Sequence, residues 1–221
     1  YSVWSDGYEL VCSNAHRVFT ITEGGIKEVL IKDISIGDYI AGARKVDFPG
    51  KKCVDPIIAR LIGYILGDGT VNKARRGIII NDKDRKNLEF YQKIIKDNFK
   101  SDAKIEKNPG SDSFRLNFYS EQFVDFLQSF GVIGKSKDKR VPKDLMNATL
   151  DEVTNFIAGY YDAEGNSFDA PRFFSSSKDL LKDVQMMLLR FGIDAHLLSR
   201  DRTVKLPQGK IFRHMFYTLQ I

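Results

Sequence analysis

The chain has 221 residues, of which 43% are hydrophobic, so it is long enough to bury a substantial core. Its 34 Lys and Arg residues against 29 Asp and Glu residues give a net charge of +5 and a pI near 9.0, which suits an anionic partner without requiring one. The two cysteines, Cys12 and Cys53, form no CxxC pair, which argues against a disulfide framework or a thiolate zinc site and favours a cytoplasmic compartment. No apolar run reaches the roughly 18 to 20 residues that span a bilayer, so no membrane partner is expected.

Residues 1–50 are predicted to form a small all-β module. Apolar, β-rich segments alternate there with the turn sequences Asp6-Gly7, Glu23-Gly24-Gly25 and Gly37-Asp38. The polar turn at residues 48–52 marks a boundary, so we expect a second domain over residues 51–221.

Two helices with clear start signals follow the boundary. Asp55 and Pro56 supply an N-cap and a proline at the first helical position, which predicts a helix from about residue 56 to 67. Thr149 and Glu152 have the spacing of a capping box, which predicts a second helix that ends near residue 163.

The sequence after each helix repeats as well. Each is followed by an apolar strand-like segment, an amphipathic helical segment and two further strand-like segments, which end at residues 114–119 in the first copy and 212–217 in the second. The order helix, strand, helix, strand, strand occurs twice, which predicts a pseudo-twofold α/β fold with repeats at residues 55–135 and 149–221. The first copy continues into a helix at residues 121–130, whereas the second reaches residue 221 where that helix should begin.

The end of each leading helix carries the most specific pattern. Residues 61–69 read LIGYILGDG and residues 157–165 read IAGYYDAEG. Both stretches resemble the motif of the LAGLIDADG homing endonucleases, and the resemblance covers roughly residues 55–221. It implies an α+β fold with two motif helices at a central seam and antiparallel DNA-binding sheets. It also implies an enzyme that cuts both strands of double-stranded DNA, as a monomer because both motifs are in one chain.

Small residues four positions apart on each motif helix would let the two backbones approach closely and bring Asp68 and Glu164 together. Two carboxylates at helix C-termini are unfavourable unless a cation lies between them. Mg²⁺ or Mn²⁺ is therefore expected, with two or more ions per site, and Asp68 and Glu164 are predicted to be metal ligands and catalytic residues. The alternative for each copy taken alone is an ordinary helix stop followed by a turn.

Basic residues supply the remaining candidates. Lys83 follows the first strand after the motif, where members of the resembled family often carry a basic residue of the catalytic site. Lys139 lies in a block that resembles a lysine-containing segment of endonuclease-bearing inteins. The resemblance therefore implies that both lysines assist catalysis. Basic residues clustered on and near the strands are predicted to hold DNA, and a solvated surface charge is the alternative for each. They are Lys73, Arg75, Arg76, Lys137, Arg140, Arg200, Arg202, Lys205, Lys210 and Arg213.

Residues 6–19 resemble a conserved block of inteins, in which a hydroxyl residue precedes a histidine by three positions, as Ser13 precedes His16. The resemblance implies a partial Hint (protein-splicing) module at residues 1–50 and a splicing-type role, vestigial or partial, for both residues. The chain has neither an initial Cys or Ser nor a terminal Asn, so it is expected neither to splice nor to cleave itself, and the remaining segments of an intein are the expected partner.

Two rival functions stay open. One is an RNA maturase or a non-cleaving DNA-binding relic with the same fold, against which retention of both acids argues. The other is a protein-splicing fragment in which the endonuclease domain is a passenger. The sequence identifies neither a target site nor a host gene.

Overall fold

The computed structural model describes residues 1–5, 7–72, 74, 76–167, 169–205 and 211–221, with the side chains of residues 202, 204, 205 and 211–214 outside that description. The N-terminal part contains two separate hairpins. β1 (Ser2–Ser5) pairs with β2 (Tyr8–Val11), and β3 (Arg17–Thr22) pairs with β4 (Gly25–Leu30). A single 3₁₀ turn, Ile31–Asp33, follows, and residues 34–55 then cross the surface without further helix or strand.

The first repeat begins with the buried helix α1 (Pro56–Asp68), and its remaining elements wrap around that helix. In chain order they are β5 (Gly69–Asn72), β6 (Gly77–Asp82), α2 (Arg85–Phe99), β7 (Lys104–Lys107), β8 (Phe114–Tyr119) and α3 (Glu121–Ser129). The predicted start of α1 is confirmed, because the Asp55 side chain accepts a hydrogen bond from the Ile57 N–H at 3.0 Å and Pro56 opens the helix.

A short connection with a 3₁₀ turn, Ser136–Asp138, and the four-residue helix α4 (Lys143–Met146) leads to the second repeat. That repeat contains α5 (Leu150–Glu164), β9 (Gly165–Asn166), β10 (Arg172–Ser175), α6 (Lys178–Leu189), β11 (His196–Lys205) and β12 (Ile211–Gln220). The predicted capping of α5 is present, since the Glu152 carboxylate accepts from the Thr149 N–H at 3.1 Å.

The two repeats have the same antiparallel sheet order, β5-β6-β8-β7 in the first and β9-β10-β12-β11 in the second. Each motif helix runs directly into a short strand, β5 or β9, that the sequence pattern did not predict. The two-repeat α/β fold expected from the sequence is otherwise confirmed.

The core fills the space between the sheets and the central helix pair. Seven of the 13 residues of α1 are buried, among them Tyr64, which stacks on Tyr91 of α2 with ring centroids 4.0 Å apart. Because α1 is apolar on nearly every side, it behaves as an interior helix that is covered by its own sheet and by α5.

The N-terminal hairpin β1–β2 packs on the second repeat. Tyr8 donates a hydrogen bond to Asp194 at 2.8 Å, and Gln185 of α6 donates to the Gly7 carbonyl at 3.1 Å. Lys178 lies 4.2 Å above the Trp4 ring and 3.4 Å from the Glu9 carboxylate. The hairpin is therefore attached to α6 by both polar and aromatic contacts.

No helix in the described part of the chain combines the length and apolar character that crossing a membrane requires.

Candidate active site

The two motif helices meet backbone to backbone at the centre of the molecule. A Cβ atom added at Gly63 would lie 2.2 Å from the Phe156 carbonyl oxygen, and one added at Gly159 would lie 1.9 Å from the Arg60 carbonyl oxygen. One turn further on, a Cβ atom at Gly67 would lie 2.5 Å from the Cβ atom of Ala163. Nothing larger than hydrogen fits at these glycines, so the predicted close approach is confirmed by the geometry.

An ion pair across the seam fixes how the helices are aligned. Arg60 of α1 donates to the Asp162 carboxylate of α5 at 2.7 Å, and the Tyr91 hydroxyl donates to the same oxygen at 2.6 Å. The C-terminal ends of the two helices lie together as well, since a Cβ atom at Gly67 would lie 3.1 Å from Glu164 Cγ, and Asp68 and Glu164 are the last residues of α1 and α5.

These two carboxylates hold protons more tightly than free ones do. Burial raises the pKa of Asp68 to about 6, and the nearby Asp82 carboxylate contributes to the rise. Burial and the charge of Asp68 raise the pKa of Glu164 to about 7. Asp68 nevertheless keeps much of its surface open to solvent, so its carboxylate remains accessible to a ligand. Two crowded acids at helix C-termini are a donor set that suits a divalent cation.

Lys139 is a positive charge that acts on both acids. Its ammonium group donates hydrogen bonds to the carbonyl oxygens of Leu66 and Gly67, the latter at 3.0 Å, which lie in the last turn of α1. Burial lowers the pKa of Lys139, whereas the charges of Glu164 and Asp68 act in the opposite direction. The structure thus brings three of the four predicted catalytic residues together.

A small cavity of about 170 Å³ opens beside this group. Its wall includes Lys139, Glu164, Ser175 and Ser176 together with residues from the end of α1. The volume accommodates several water molecules or a phosphate group beside the Glu164 carboxylate.

The corresponding region of the first repeat is different. The carboxylate of Asp82, at the end of β6, accepts hydrogen bonds from the Tyr64 hydroxyl and from the Asn87 amide, the latter at 2.7 Å. Lys83 follows directly and is exposed, outside the cavity wall that contains Lys139. Sequence reasoning missed Asp82, although its position before Lys83 at a strand end was a usable signal.

The structure shows where the predicted DNA-contacting residues lie. Arg76 is exposed and forms ion pairs with Glu121 at 2.7 Å and Asp125 at 3.2 Å. Lys137 is exposed in the linker, and Arg200 is exposed on β11. Arg140 forms two hydrogen bonds of 2.7 Å to Asp183.

Six of the predicted DNA-contacting residues lie partly or wholly outside the described structure. For Arg202, Lys205 and Arg213 only the strand backbone is described, in β11 and β12, and Lys73, Arg75 and Lys210 lie outside the described residues.

Two polar residues on the first sheet, Arg115 and Asn117, were not among the predicted DNA-contacting residues. On β8, Leu116 and Phe118 point into the core, whereas Arg115 and Asn117 alternate with them and point away. Arg115 donates to Glu106 of β7 at 2.8 Å, and Asn117 donates to the same carboxylate at 3.3 Å. This face presents amide, guanidinium and carboxylate groups, which are the groups that read base edges.

Ser13 and His16 lie in the turn between the two N-terminal hairpins, and both are exposed. The His16 N–H donates to the Ser13 carbonyl at 3.2 Å, and the His16 carbonyl accepts from the Ile31 N–H at 2.8 Å. The backbone of the turn is therefore held in place while both side chains face solvent.

Within the described residues, no three His, Cys, Asp or Glu side chains form a closed metal site. A cation held by Asp68 and Glu164 would therefore complete its coordination with water and phosphate oxygens, as Mg²⁺ commonly does.

Comparison with known families places the fold. Residues 55–131 and 151–213 match the model of the LAGLIDADG-like domain, so the chain belongs to this family. Among solved structures, I-DmoI in complex with DNA and Ca has a TM-score of 0.54 at 22% identity, covering 75% of this chain and 82% of that one. I-DmoI in complex with DNA and Mn has a TM-score of 0.51 at 20% identity, and the match covers 75% of this chain and 89% of that one. At these identities the likeness concerns the fold.

Similar curated proteins have unrelated names. The chain is 29% identical to a region of the replication factor C small subunit of Methanocaldococcus jannaschii, over 95% of this chain and 11% of that protein. It is 28% identical to part of the glutamine–fructose-6-phosphate aminotransferase of the same organism, over 73% of this chain and 15% of that protein. It is 26% identical to part of the ATP-dependent DNA helicase Hel308, also of that organism, over 94% of this chain and 18% of that protein. The chain thus spans less than a fifth of the length of each of these three relatives.

Proposed function

We propose that this member of the LAGLIDADG-like family is a site-specific, metal-dependent homing endonuclease that makes double-strand breaks in DNA. The observation that carries the proposal is the meeting of Asp68 and Glu164 at two adjoining helix ends, with the Lys139 ammonium bonded to the main chain of the last turn of α1. A purely structural seam would gain nothing from two carboxylates whose pKa values are raised by burial and by neighbouring carboxylates, Asp82 for Asp68 and Asp68 for Glu164.

Asp68 and Glu164 are the residues that would hold Mg²⁺ or Mn²⁺, with two or more ions at the pair. Bound there, such ions would supply acidified water and would neutralise charge on the scissile phosphates. The solved I-DmoI complexes contain DNA together with Ca or Mn, which supports a divalent ion for this chain as well. Lys139 would support phosphate binding beside Glu164, and Lys83, which is exposed after β6, would do the same for the first repeat.

The sheets supply the DNA-binding surface in this proposal. Arg115 and Asn117 on the first sheet and Arg200 on the second lie on outward strand faces, where a curved antiparallel ribbon can enter the major groove. Lys137 and Arg76 lie on exposed connecting segments and would contact phosphates. Both motifs are in one chain, so a monomer contains both half-sites.

We further infer that the chain comes from an intein. Two relatives with unrelated names each match nearly all of this chain within a small fraction of their own length, as an inserted element would. The N-terminal hairpins, with Ser13 and His16 at their turn, are proposed as part of a Hint module whose other segments would pair with them.

The test is cleavage of a plasmid library of candidate insertion sites, with linear products sequenced. Asp68→Asn and Glu164→Gln should each abolish linearisation in Mg²⁺ and keep DNA binding measurable, because each removes ligand charge and preserves shape. Asp97→Asn, an exposed acid in the last turn of α2, is the matched control and should cut as the wild type does.

Full cleavage by Asp68→Asn or by Glu164→Gln would overturn the proposed two-acid site. A wild-type chain that binds DNA without cutting would support the non-cleaving relic, and preferential binding to folded RNA would support the maturase.

A further inference from the structure

The linker between the repeats crosses the N-terminus of α6 on its way to the active site. Ser177, which is fully buried, caps this helix by accepting a hydrogen bond from the Leu180 N–H at 3.2 Å. The same hydroxyl donates to the Lys139 carbonyl at 2.7 Å. One side chain thus both caps α6 and fixes the main chain of Lys139.

A second attachment lies further along α6. Asp183 is only 7% exposed, and its carboxylate accepts from Nε and Nη2 of Arg140 at 2.7 Å each. It also accepts from the Val141 N–H at 3.1 Å. Such a bidentate, charge-assisted pair with a third donor is among the stronger polar contacts that a protein forms.

Both attachments fix the chain at Lys139 or directly after it. Ser177 holds the carbonyl of Lys139, and Asp183 holds the two residues that follow it. From this fixed main chain the Lys139 side chain extends to the last turn of α1. The position of the ammonium group therefore depends on contacts with α6, in the second repeat.

We propose that Asp183 and Arg140 are positioning residues, which with Ser177 clamp the linker and hold the Lys139 ammonium beside Glu164 at the cleavage centre. The proposal rests on the proposed endonuclease function for its catalytic meaning, although the clamp itself can be tested without cleavage. It also gives Arg140 a role other than the DNA contact that the sequence suggested.

The first experiment measures how accessible Lys139 is. The folded chain is acetylated for a short time at fixed pH, and modification of Lys139 is quantified by mass spectrometry against the exposed Lys137. Asp183→Asn keeps the shape of the side chain but removes its charge, and it should raise relative labelling of Lys139 about tenfold because charge-assisted bonds are lost. Asp179→Asn is the matched control, since this exposed acid of α6 lies 3.6 Å from Arg140, and it should change labelling less than about twofold.

The second experiment separates positioning from DNA contact. Asp183→Asn and Arg140→Ala should each lower kcat about tenfold and leave KM for DNA unchanged. A direct phosphate contact by Arg140 would instead raise KM and reduce the log-log salt slope by about 0.9. Adding Asp183→Asn to a Lys139→Met variant should cost no further rate, because the clamp acts only through the lysine.

Several results would overturn the clamp. Lys139 labelling in Asp183→Asn that equals labelling in Asp179→Asn would show that Asp183 does not hold the linker. A further loss of rate in the double variant, or a pure KM effect of Arg140→Ala, would show that these residues act elsewhere. If the wild-type chain cuts no DNA, the proposed function fails while the labelling comparison still decides whether the clamp exists.

Discussion

Glu164→Gln should stabilise the metal-free protein above neutral pH, although it removes one of the two acids proposed to bind metal. Burial and the charge of Asp68 raise the pKa of Glu164 from its ordinary value of 4.5 to about 7. The folded state therefore binds this proton more tightly than the unfolded chain does. The resulting stabilisation is complete below pH 4.5 and is lost as the pH rises toward 7. Glutamine resembles the protonated acid, so the variant does not lose this stability as the pH rises.

The magnitude follows from the shift. A pKa rise of this size lowers the free energy of unfolding by about 3 kcal/mol when Glu164 is fully ionised. Because Glu164 is partly exposed, we expect a smaller effect of about 1 to 2 kcal/mol. For a chain of 221 residues this corresponds to a rise in Tm of about 2 to 8 °C.

The assay is thermal unfolding in EDTA at pH 8 and at pH 4.5, with Asp97→Asn as the control for removing an acid from the last turn of a helix. We expect the Tm of Glu164→Gln to be higher than that of the wild type at pH 8 and equal to it at pH 4.5. The Tm of this variant should differ from that of the control at pH 8 only. Adding Mg²⁺ should raise Tm of the wild type and have little effect on the variant, because ligand binding stabilises only the folded state that binds it. A variant that melts below the wild type at pH 8 in EDTA would refute the crowding of the two carboxylates.

Three further predictions concern packing, catalysis and DNA binding. Gly159→Ala should cost at least about 3 kcal/mol, because its Cβ atom would lie 1.9 Å from the Arg60 carbonyl oxygen, whereas Gly134→Ala meets open space and should be nearly neutral in the same denaturant titration. Lys139→Met should slow nicking of one DNA strand about a hundredfold and Lys83→Met should act on the other strand, as measured on duplexes labelled on each strand; equal loss on both strands would contradict separate half-sites. DNA affinity should fall with a log-log salt slope of about −0.9 per phosphate contact, and Lys137→Ala should reduce that slope by about one contact, so a flat salt dependence would contradict the DNA-binding interpretation.

Both motif helices could be predicted from the sequence because their signals are local. A cap, a proline or capping-box glutamate, an apolar run and a terminal glycine all lie within one short stretch, and each is satisfied within that stretch in the fold. The strands β5 and β9 were missed because each is short and begins at the glycine that ends the helix, so its residues were interpreted as a turn.

The site was predictable in part. Repetition of the motif pointed to Asp68 and Glu164, since each copy supplies one acid at one position. The role of Arg140 was not accessible, because its partner Asp183 lies 43 positions away and nothing local distinguishes this arginine from a solvated charge. Asp82 was missed although its position before Lys83 at a strand end is visible in the sequence, whereas its hydrogen bond to Tyr64 is not, because that bond depends on how β6 packs against α1.

The two repeats differ at equivalent positions, and the difference explains why the linker is anchored to only one of them. In the first sheet Gly69 pairs with Ile80, and in the second Gly165 pairs with Phe173, so Asp84 and Ser177 occupy the same place at the start of α2 and α6. Both cap their helix, Asp84 by accepting from the Lys86 N–H at 2.9 Å.

The difference between these two caps lies in hydrogen-bond chemistry. An ionised carboxylate only accepts hydrogen bonds, whereas the Ser177 hydroxyl can accept from its helix and still donate to the Lys139 carbonyl. The second repeat can therefore donate a hydrogen bond to the linker carbonyl where the first cannot, so the main chain at Lys139 is anchored to the second repeat. A chain that contains both repeats need not keep them identical, so we expect its two strand cleavages to proceed at unequal rates through a nicked intermediate.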